Sequence, residues 1–120
     1  MTVEEQLTRV LSGWAVASVV GGAVLSAFPR TRGFGRQTAA WGAVDGAIAY
    51  AGIRGRRRKG PTDPAHLRRV LLVNAGLDVG YLALGRRMLH SERWRGDGQA
   101  VLVQGAFLLL LDTTAAARLR

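Results

Sequence analysis

The sequence predicts an all-α protein, a bundle of four transmembrane helices built from two tandem helical hairpins. Three observations predict this fold. Four apolar runs are separated by arginine-rich breaks, the composition is 48% hydrophobic, and a net charge of +9 is concentrated in the breaks. A length of 120 residues predicts one domain. The expected spans cover about residues 8–29, 36–54, 66–86 and 98–117.

The first helix begins with a capping box, in which Thr2 is the expected N-cap and Glu5 follows three residues later. Residues 10–29 then carry no charge, and such a run is long enough to cross a hydrocarbon core of about 30 Å. Small side chains, which let membrane helices approach closely, form two rows on this helix. The rows are Gly13, Ala17 and Gly21, and Ser18, Gly22 and Ser26. We expect one row to serve the core and the other to form a homodimer contact.

The other three spans are shorter or less apolar. The second is mainly Ala and Gly with Asp45 at its centre, so a hydropathy window alone could miss it. The third lies between Arg69 and Arg86, and these arginines must snorkel to reach water. The fourth lies between Asp97 and Arg118 and is interrupted only by Asp112.

The segment from Arg54 to Arg69 is expected to be a loop with the densest positive charge in the chain. The positive-inside rule makes this loop and both termini cytoplasmic, which predicts a multi-pass protein of the cell (inner) membrane. Its cluster is expected to bind anionic lipid headgroups: Arg56, Arg57, Arg58 and Lys59. The basic residues lie between apolar runs and do not line one helix face, so no nucleic-acid partner is expected.

A weak internal repeat connects the two halves. Residues 7–11 before the first helix resemble residues 67–71 before the third, at an offset of 60. The motif RGxG precedes the second helix at residues 32–35 and the fourth at residues 95–98, at an offset of 63. Glycines at a helix entrance favour a tight turn, and the alternative is an anion site at the helix N-terminus.

Polar side chains inside the spans are the candidate functional residues for an ion, a proton or a ligand. They are Asp78, Asp45, Asp112, Asn74, Tyr81, Gln104, Gln37 and Trp41. Between the arginines near their ends, the spans contain no basic residue to pair with the acids. Each acid must therefore be protonated, exposed to water, hydrogen-bonded to amide donors or bound to a cation. Asp78 is the expected centre, because Asn74 and Tyr81 share its helical face, and Asp45 is its expected nearest acidic neighbour.

Three functions remain open from these residues. The first is a proton- or cation-coupled transporter or a channel-like protein that acts as a dimer. The second is a membrane scaffold or adaptor that binds anionic lipid or a protein partner through its basic loop. The third is a carboxylate-based membrane enzyme. The chain has no cysteine and its two histidines lie at helix ends, so we expect no metal site, no cofactor and no catalytic residue of the familiar types.

Several short motifs resemble a known group of proteins. They are residues 74–81 (NAGLDVGY), residues 96–98 (GDG), residues 103–112 (VQGAFLLLLD) and residues 41–45 (WGAVD). Together they resemble a family of small bacterial and archaeal membrane proteins that have four predicted spans and no assigned function. The resemblance implies the four-helix fold and carries no activity to this chain.

Overall fold

The computed structural model describes residues 2–119 and contains four long α-helices. Helix α1 is Val3–Ser26, α2 is Arg32–Lys59, α3 is Pro64–Met88 and α4 is Arg95–Arg118. No strand occurs in this part of the chain. The predicted all-α fold with four helices is therefore confirmed.

The helix boundaries follow local sequence chemistry. The Thr2 hydroxyl accepts a hydrogen bond from the Glu5 backbone N–H at 3.1 Å and donates one to the Glu5 carboxylate at 3.0 Å, as a capping box requires. Helix α2 ends at Gly60, whose φ of 78° is easily adopted only by glycine. Pro64 occupies the first turn of α3, where its missing N–H costs no hydrogen bond.

The basic segment after residue 54 was expected to be a loop, and this expectation is wrong for its first part. Helix α2 continues through Arg56–Lys59, and the connection to α3 covers residues 60–63 alone. Arginine and lysine are good helix formers, and their charges are favourable at a helix C-terminus. No proline lies within α2, and the helix ends where Gly60 takes a positive φ.

The helices pair as two antiparallel hairpins, α1 with α2 and α3 with α4. The hairpins meet mainly where α2 packs on α4, and α1 also touches α4. The Cα atoms of α2 and α3 nowhere come within 8 Å of each other in the described residues. Thr62 donates its backbone N–H to the Glu4 carboxylate at 3.0 Å, and Arg118 donates to Gln6. The first turn of α1, the α2–α3 connection and the end of α4 thus lie at one end of the molecule.

One row of small residues on α1 makes the contact with α2. A Cβ atom on Gly22 would lie 2.5 Å from the Ala39 nitrogen, and one on Gly42 would lie 2.8 Å from the Ser18 Cβ. These distances leave no room for a side chain. The other row faces outward, because a Cβ on Gly13 or Gly21 would meet nothing within 4 Å.

The two hairpins repeat the same contacts at an offset of 63. Arg32 donates from Nε to the Ser26 carbonyl at 3.2 Å, and Arg95 donates from Nε to the Leu89 carbonyl at 3.3 Å. A Cβ on Gly35 would lie 2.6 Å from the Gly22 oxygen, and one on Gly98 would lie 2.8 Å from the Gly85 oxygen. These contacts of α1 and α3 follow the offset of 63 and not the expected 60. The two offsets differ by three residues, close to one helical turn, so either aligns similar helical faces.

Helices α1 and α4 are long and apolar enough to cross a membrane, which by itself is weak support for membrane association. The same distribution of side chains occurs on all four helices. The buried side chains include Asp45, Asp78, Asp112 and Gln104, whereas large apolar side chains are exposed on every helix.

Candidate binding cleft

A cavity of about 360 Å³ lies where α2 and α3 diverge, and α1 and α4 form its floor. We call it the α2–α3 cleft. Its walls are mostly aliphatic, and they include Leu71 of α3 and Leu108 and Leu111 of α4. Val44 of α2 and Leu77 of α3 line the cleft and are 51% and 53% exposed. These two side chains form part of its rim.

Three carboxyl groups face this cleft, one from each of α2, α3 and α4. Asp45 is 1% exposed, Asp78 is 3% exposed and Asp112 is 8% exposed. Both side-chain oxygens of Asp45 and Oδ2 of Asp78 lack a hydrogen-bond partner among residues 2–119. A buried polar group without a partner costs about 1–3 kcal/mol, so these oxygens favour a hydrogen bond or a charge from a group outside the described residues.

Asp112 of α4 is an acidic neighbour of Asp78 in the cleft. The carboxyl groups of Asp78 and Asp112 lie close enough to share a hydrogen bond, whereas Asp45 acts on them through its charge. Two carboxyl groups can share a hydrogen bond only when one of them carries a proton. The hairpin explains the approach: a Cβ on Gly105 of α4 would lie 3.5 Å from the Asp78 backbone oxygen.

Two aromatic side chains meet across the cleft, where the backbones of α2 and α3 stay apart. The rings of Trp41 and Tyr81 lie 5.0 Å apart, edge to face at 67°. Asn74, one turn before Asp78 on α3, also lines the cleft and is half-buried. The structure thus brings together six of the eight predicted polar positions, from Trp41 and Asp45 on α2 to Asp112 on α4.

An ion pair closes the end of the cleft nearest the chain termini. Arg56 donates from Nη1 to the Thr8 hydroxyl at 2.8 Å, and the same atom lies 3.8 Å from the Glu4 carboxylate. Glu4 is held in place by Thr62. Arg56 therefore points inward, while Arg57, Arg58 and Lys59 are exposed. The sequence alone did not indicate this role of Glu4, an acid in the first turn of α1.

Gln104 lies elsewhere, between α1 and α4. Its side-chain oxygen accepts a hydrogen bond from the Trp14 indole at 2.8 Å, and its nitrogen donates to the Ser18 hydroxyl at 3.2 Å. Trp14 also stacks on Phe107 with ring centroids 3.9 Å apart and an interplanar angle of 7°. We call these four residues the closed seam. Gln104 has its partners within the protein and does not reach the acids.

Gln37 lies at the opposite end of the molecule from the termini. It shares a surface depression with Arg36 and Asp97, and it does not line the cleft. Asp97 is 1% exposed and accepts from Arg36 Nη2 at 3.0 Å, so this ion pair joins the two hairpins. A Cβ on Gly33 would lie 2.6 Å from the Asp97 carboxylate. Gly33 of the first RGxG motif therefore leaves space for the Asp97 side chain of the second motif. This role of Asp97 was not predicted from the sequence.

Within residues 2–119 there is no group of three or more His, Asp or Glu side chains placed to hold a metal ion. The family model for a family of unknown function (DUF6992) matches residues 10–113. This match includes the cleft acids, the closed seam and both RGxG motifs. No curated protein and no solved structure matches the chain.

Proposed function

The chain belongs to this family of unknown function, and we propose its role from the geometry of the cleft. It is an integral membrane protein whose four helices all span the bilayer. The acids of the α2–α3 cleft bind a proton or a cation, and the protein works as a small transporter or a channel-like protein. Three buried carboxyl groups that face an apolar cavity with no basic neighbour in the spans carry this proposal.

Membrane insertion is supported by the inverted distribution of polarity. Exposed side chains on the outer faces include Val16 at 65%, Leu110 at 68% and Val73 at 59%, and lipid can cover such faces where water would not. Between Arg36 and Arg54 on α2, and between Arg69 and Arg86 on α3, no basic residue occurs. At 1.5 Å per residue these gaps span roughly 24–27 Å, close to a hydrocarbon core.

The carboxyl oxygens without partners support a functional role for the cleft acids and not only a structural one. Polar groups that merely join membrane helices satisfy one another, as Gln104, Trp14 and Ser18 do. Asp45 satisfies nothing within the described residues, and Asp78 keeps one oxygen free. Ionisable groups retained at membrane depth in this way mark ion or proton pathways.

The outward row on α1 supports a dimer. Gly13 and Gly21 have open space where a Cβ would stand, so a second copy could approach closely along Gly13, Ala17 and Gly21. Gly21→Leu is expected to shift a detergent-solubilised dimer to the monomer in sedimentation analysis. A dimer of unchanged stability in this variant would place the contact elsewhere.

The orientation is tested with cysteines, because the native chain has none. A single cysteine at Lys59 should react with a membrane-impermeant maleimide only after the cells are opened. A cysteine at Glu92, in the turn between α3 and α4, should react in intact cells. The reverse pattern would overturn the orientation, and recovery of the protein in the soluble fraction would overturn the membrane proposal.

Transport is tested in liposomes with an imposed pH gradient and a clamped potential, with sodium and potassium uptake measured in parallel. Reconstituted protein is expected to speed the flux of protons or of one of these cations. Asp78→Asn should return the flux to that of empty liposomes, while Asp63→Asn, an exposed acid outside the cleft, should not. Folded wild-type protein that leaves all three fluxes unchanged would contradict the proposal.

A scaffold that binds anionic lipid is a second candidate, favoured by the exposed Arg57, Arg58 and Lys59 at the end of α2. Replacing these three residues by glutamine should then remove binding to phosphatidylglycerol vesicles. The cleft variants should leave that binding unchanged.

A further inference from the structure

We infer that the α2–α3 cleft binds a lipophilic organic monocation, such as a quaternary ammonium or a protonated amine, which enters sideways from the lipid between α2 and α3. This inference rests on the proposed function, because it names the cation that the same acids would bind.

The charge of the site calls for a cation. Asp45 on α2 offers two partnerless oxygens, and Asp78 on α3 offers one, each from a side chain that is at least 97% buried. Asp112 on α4 faces the same space. Arg56 is the one basic residue among the described residues that line the cleft, and it is paired with Glu4 and Thr8. A bound cation could take the place of a carboxyl proton, which would be released to water.

The lining favours an organic cation over a metal ion. Hard metal ions need several oxygen ligands, yet most side chains around the acids are aliphatic, among them Leu71, Leu108 and Leu111. The rings of Trp41 and Tyr81 meet edge to face beside the acids. Aromatic faces attract quaternary ammonium groups through cation–π interactions. A volume of about 360 Å³ is in the range of small-molecule sites and far exceeds that of a bare ion.

The opening favours a lipophilic molecule. Val44 and Ile48 of α2 and Val70 and Leu77 of α3 line the cleft and are exposed on the outer surface. The Cα atoms of these helices stay more than 8 Å apart, so the cleft is open along its side. Its end near the termini is closed by the ion pair between Arg56 and Glu4. A cation with apolar substituents could pass between α2 and α3 from the acyl chains.

The test uses benzyltrimethylammonium and its uncharged analogue neopentylbenzene, in which carbon replaces nitrogen. Binding to the full chain in phosphatidylcholine nanodiscs is measured by titration calorimetry at pH 7.5. We expect binding of the cation and at least about tenfold weaker binding of the neutral analogue, a difference of about 1.4 kcal/mol. Asp45→Asn and Asp78→Asn should each weaken cation binding by about tenfold or more, while Asp63→Asn should not.

Lowering the pH gives a second measurement on the wild-type protein, should a variant fail to fold. The groups that face the ligand are Asp45 of α2, Asp78 of α3 and Asp112 of α4, with Glu4 and Arg56 at the closed end. Protons compete with the cation for the acids, so its affinity should fall at acidic pH, while that of neopentylbenzene should not.

Equal affinity for the cation and its neutral analogue would overturn the inference, and so would an affinity that neither pH nor the aspartate variants change. Failure of benzyltrimethylammonium to bind, in a protein that still carries protons or metal cations across liposomes, would overturn the ligand class alone. Failure of both experiments would overturn the proposed function as well.

Discussion

The two seams between the hairpins occupy equivalent places in the repeat, yet one is filled and the other is open. At the offset of 63, Gln104 and Ser18 of the closed seam correspond to Trp41 and Tyr81 of the α2–α3 cleft. Gln104 and Ser18 are joined by a hydrogen bond of 3.2 Å, and Trp41 and Tyr81 by an aromatic contact of 5.0 Å. The same two positions thus connect the hairpins on both sides of the bundle.

The neighbouring positions explain the difference. Trp14 and Phe107 stack at 3.9 Å and fill the closed seam. Their counterparts in the cleft are Leu77 and Val44, which are smaller side chains and stand exposed at the rim. Small side chains at two positions thus leave a cavity between helices that the repeat would otherwise pack together. Asp45, Asp78 and Asp112 lie on the side of the bundle that contains this cavity.

The largest expected effect tests the close contact between α1 and α2 in the first hairpin. Gly22→Ala places a Cβ 2.5 Å from the Ala39 backbone nitrogen, which cannot move without displacing α2. We expect a loss of about 3 kcal/mol or more in the free energy of unfolding, measured by titration from mild detergent into sodium dodecyl sulfate. Gly21→Ala, the adjacent control with open space, should not destabilise the protein. Equal stability of both variants would mean that the hairpin contact is looser than described.

The closed seam should depend on its polar partners. Gln104→Leu keeps a similar volume but leaves the Trp14 indole N–H and the Ser18 hydroxyl without the partner each has now. Leaving such groups unpaired costs about 1–3 kcal/mol. Gln99→Leu, at an exposed position of the same helix, is the matched control in the same unfolding experiment. An unchanged stability of Gln104→Leu would remove the structural role assigned to this glutamine.

Larger side chains in the α2–α3 cleft should make it resemble the closed seam. The double variant Val44→Phe with Leu77→Trp introduces the stacked pair that closes the other side. If benzyltrimethylammonium binds in the cleft, its affinity should fall by about tenfold or more, which is about 1.4 kcal/mol. Val16→Phe, on the exposed outer face of α1, is the control for added bulk. Unchanged affinity in the double variant would place the ligand outside the cleft.

The smallest expected effect is a gain in the free energy of unfolding, whereas Gln104→Leu in the closed seam is expected to lower it. Asp45 corresponds to Leu108 in the repeat, and its two oxygens are buried without partners. Asp45→Leu removes a buried polar group that nothing compensates, so we expect the free energy of unfolding to rise by about 1 kcal/mol. Asp63→Leu, at an exposed position, should show no comparable gain. Destabilisation by Asp45→Leu would show that this acid has a structural role.

Much of the fold follows from the sequence because it depends on local signals. Apolar runs, the capping box at Thr2, the C-cap at Gly60 and the proline in the first turn of α3 set the helix boundaries. Helical spacing also places Asn74 and Tyr81 beside Asp78. Each of these features depends on residues within a few turns of one helix.

The arrangement of the site could not be predicted from single helices. The spacing of residues shows which face of a helix a side chain occupies, but it does not show which other helix packs against that face. Gln104 and Asp112 lie two turns apart on α4, yet Gln104 faces α1 and Asp112 faces Asp78. Gln37 lies one turn before Trp41 on α2, yet it lies outside the cleft. Asp97 and Arg36 pair across 61 residues, which no local pattern indicates. Which seam each residue enters depends on how the two hairpins pack.

Infrared spectroscopy of the protein in lipid bilayers tests the central claim most directly, namely that the cleft acids exchange protons with their surroundings. Burial of Asp45, Asp78 and Asp112 in a mainly aliphatic cleft favours the protonated carboxyl group, whose C=O stretching band lies apart from those of carboxylates. The account predicts such a band at neutral pH that shifts in D₂O, loses intensity in Asp78→Asn and is unchanged in Asp63→Asn. The absence of this band, or its survival unchanged in both Asp78→Asn and Asp112→Asn, would contradict the account.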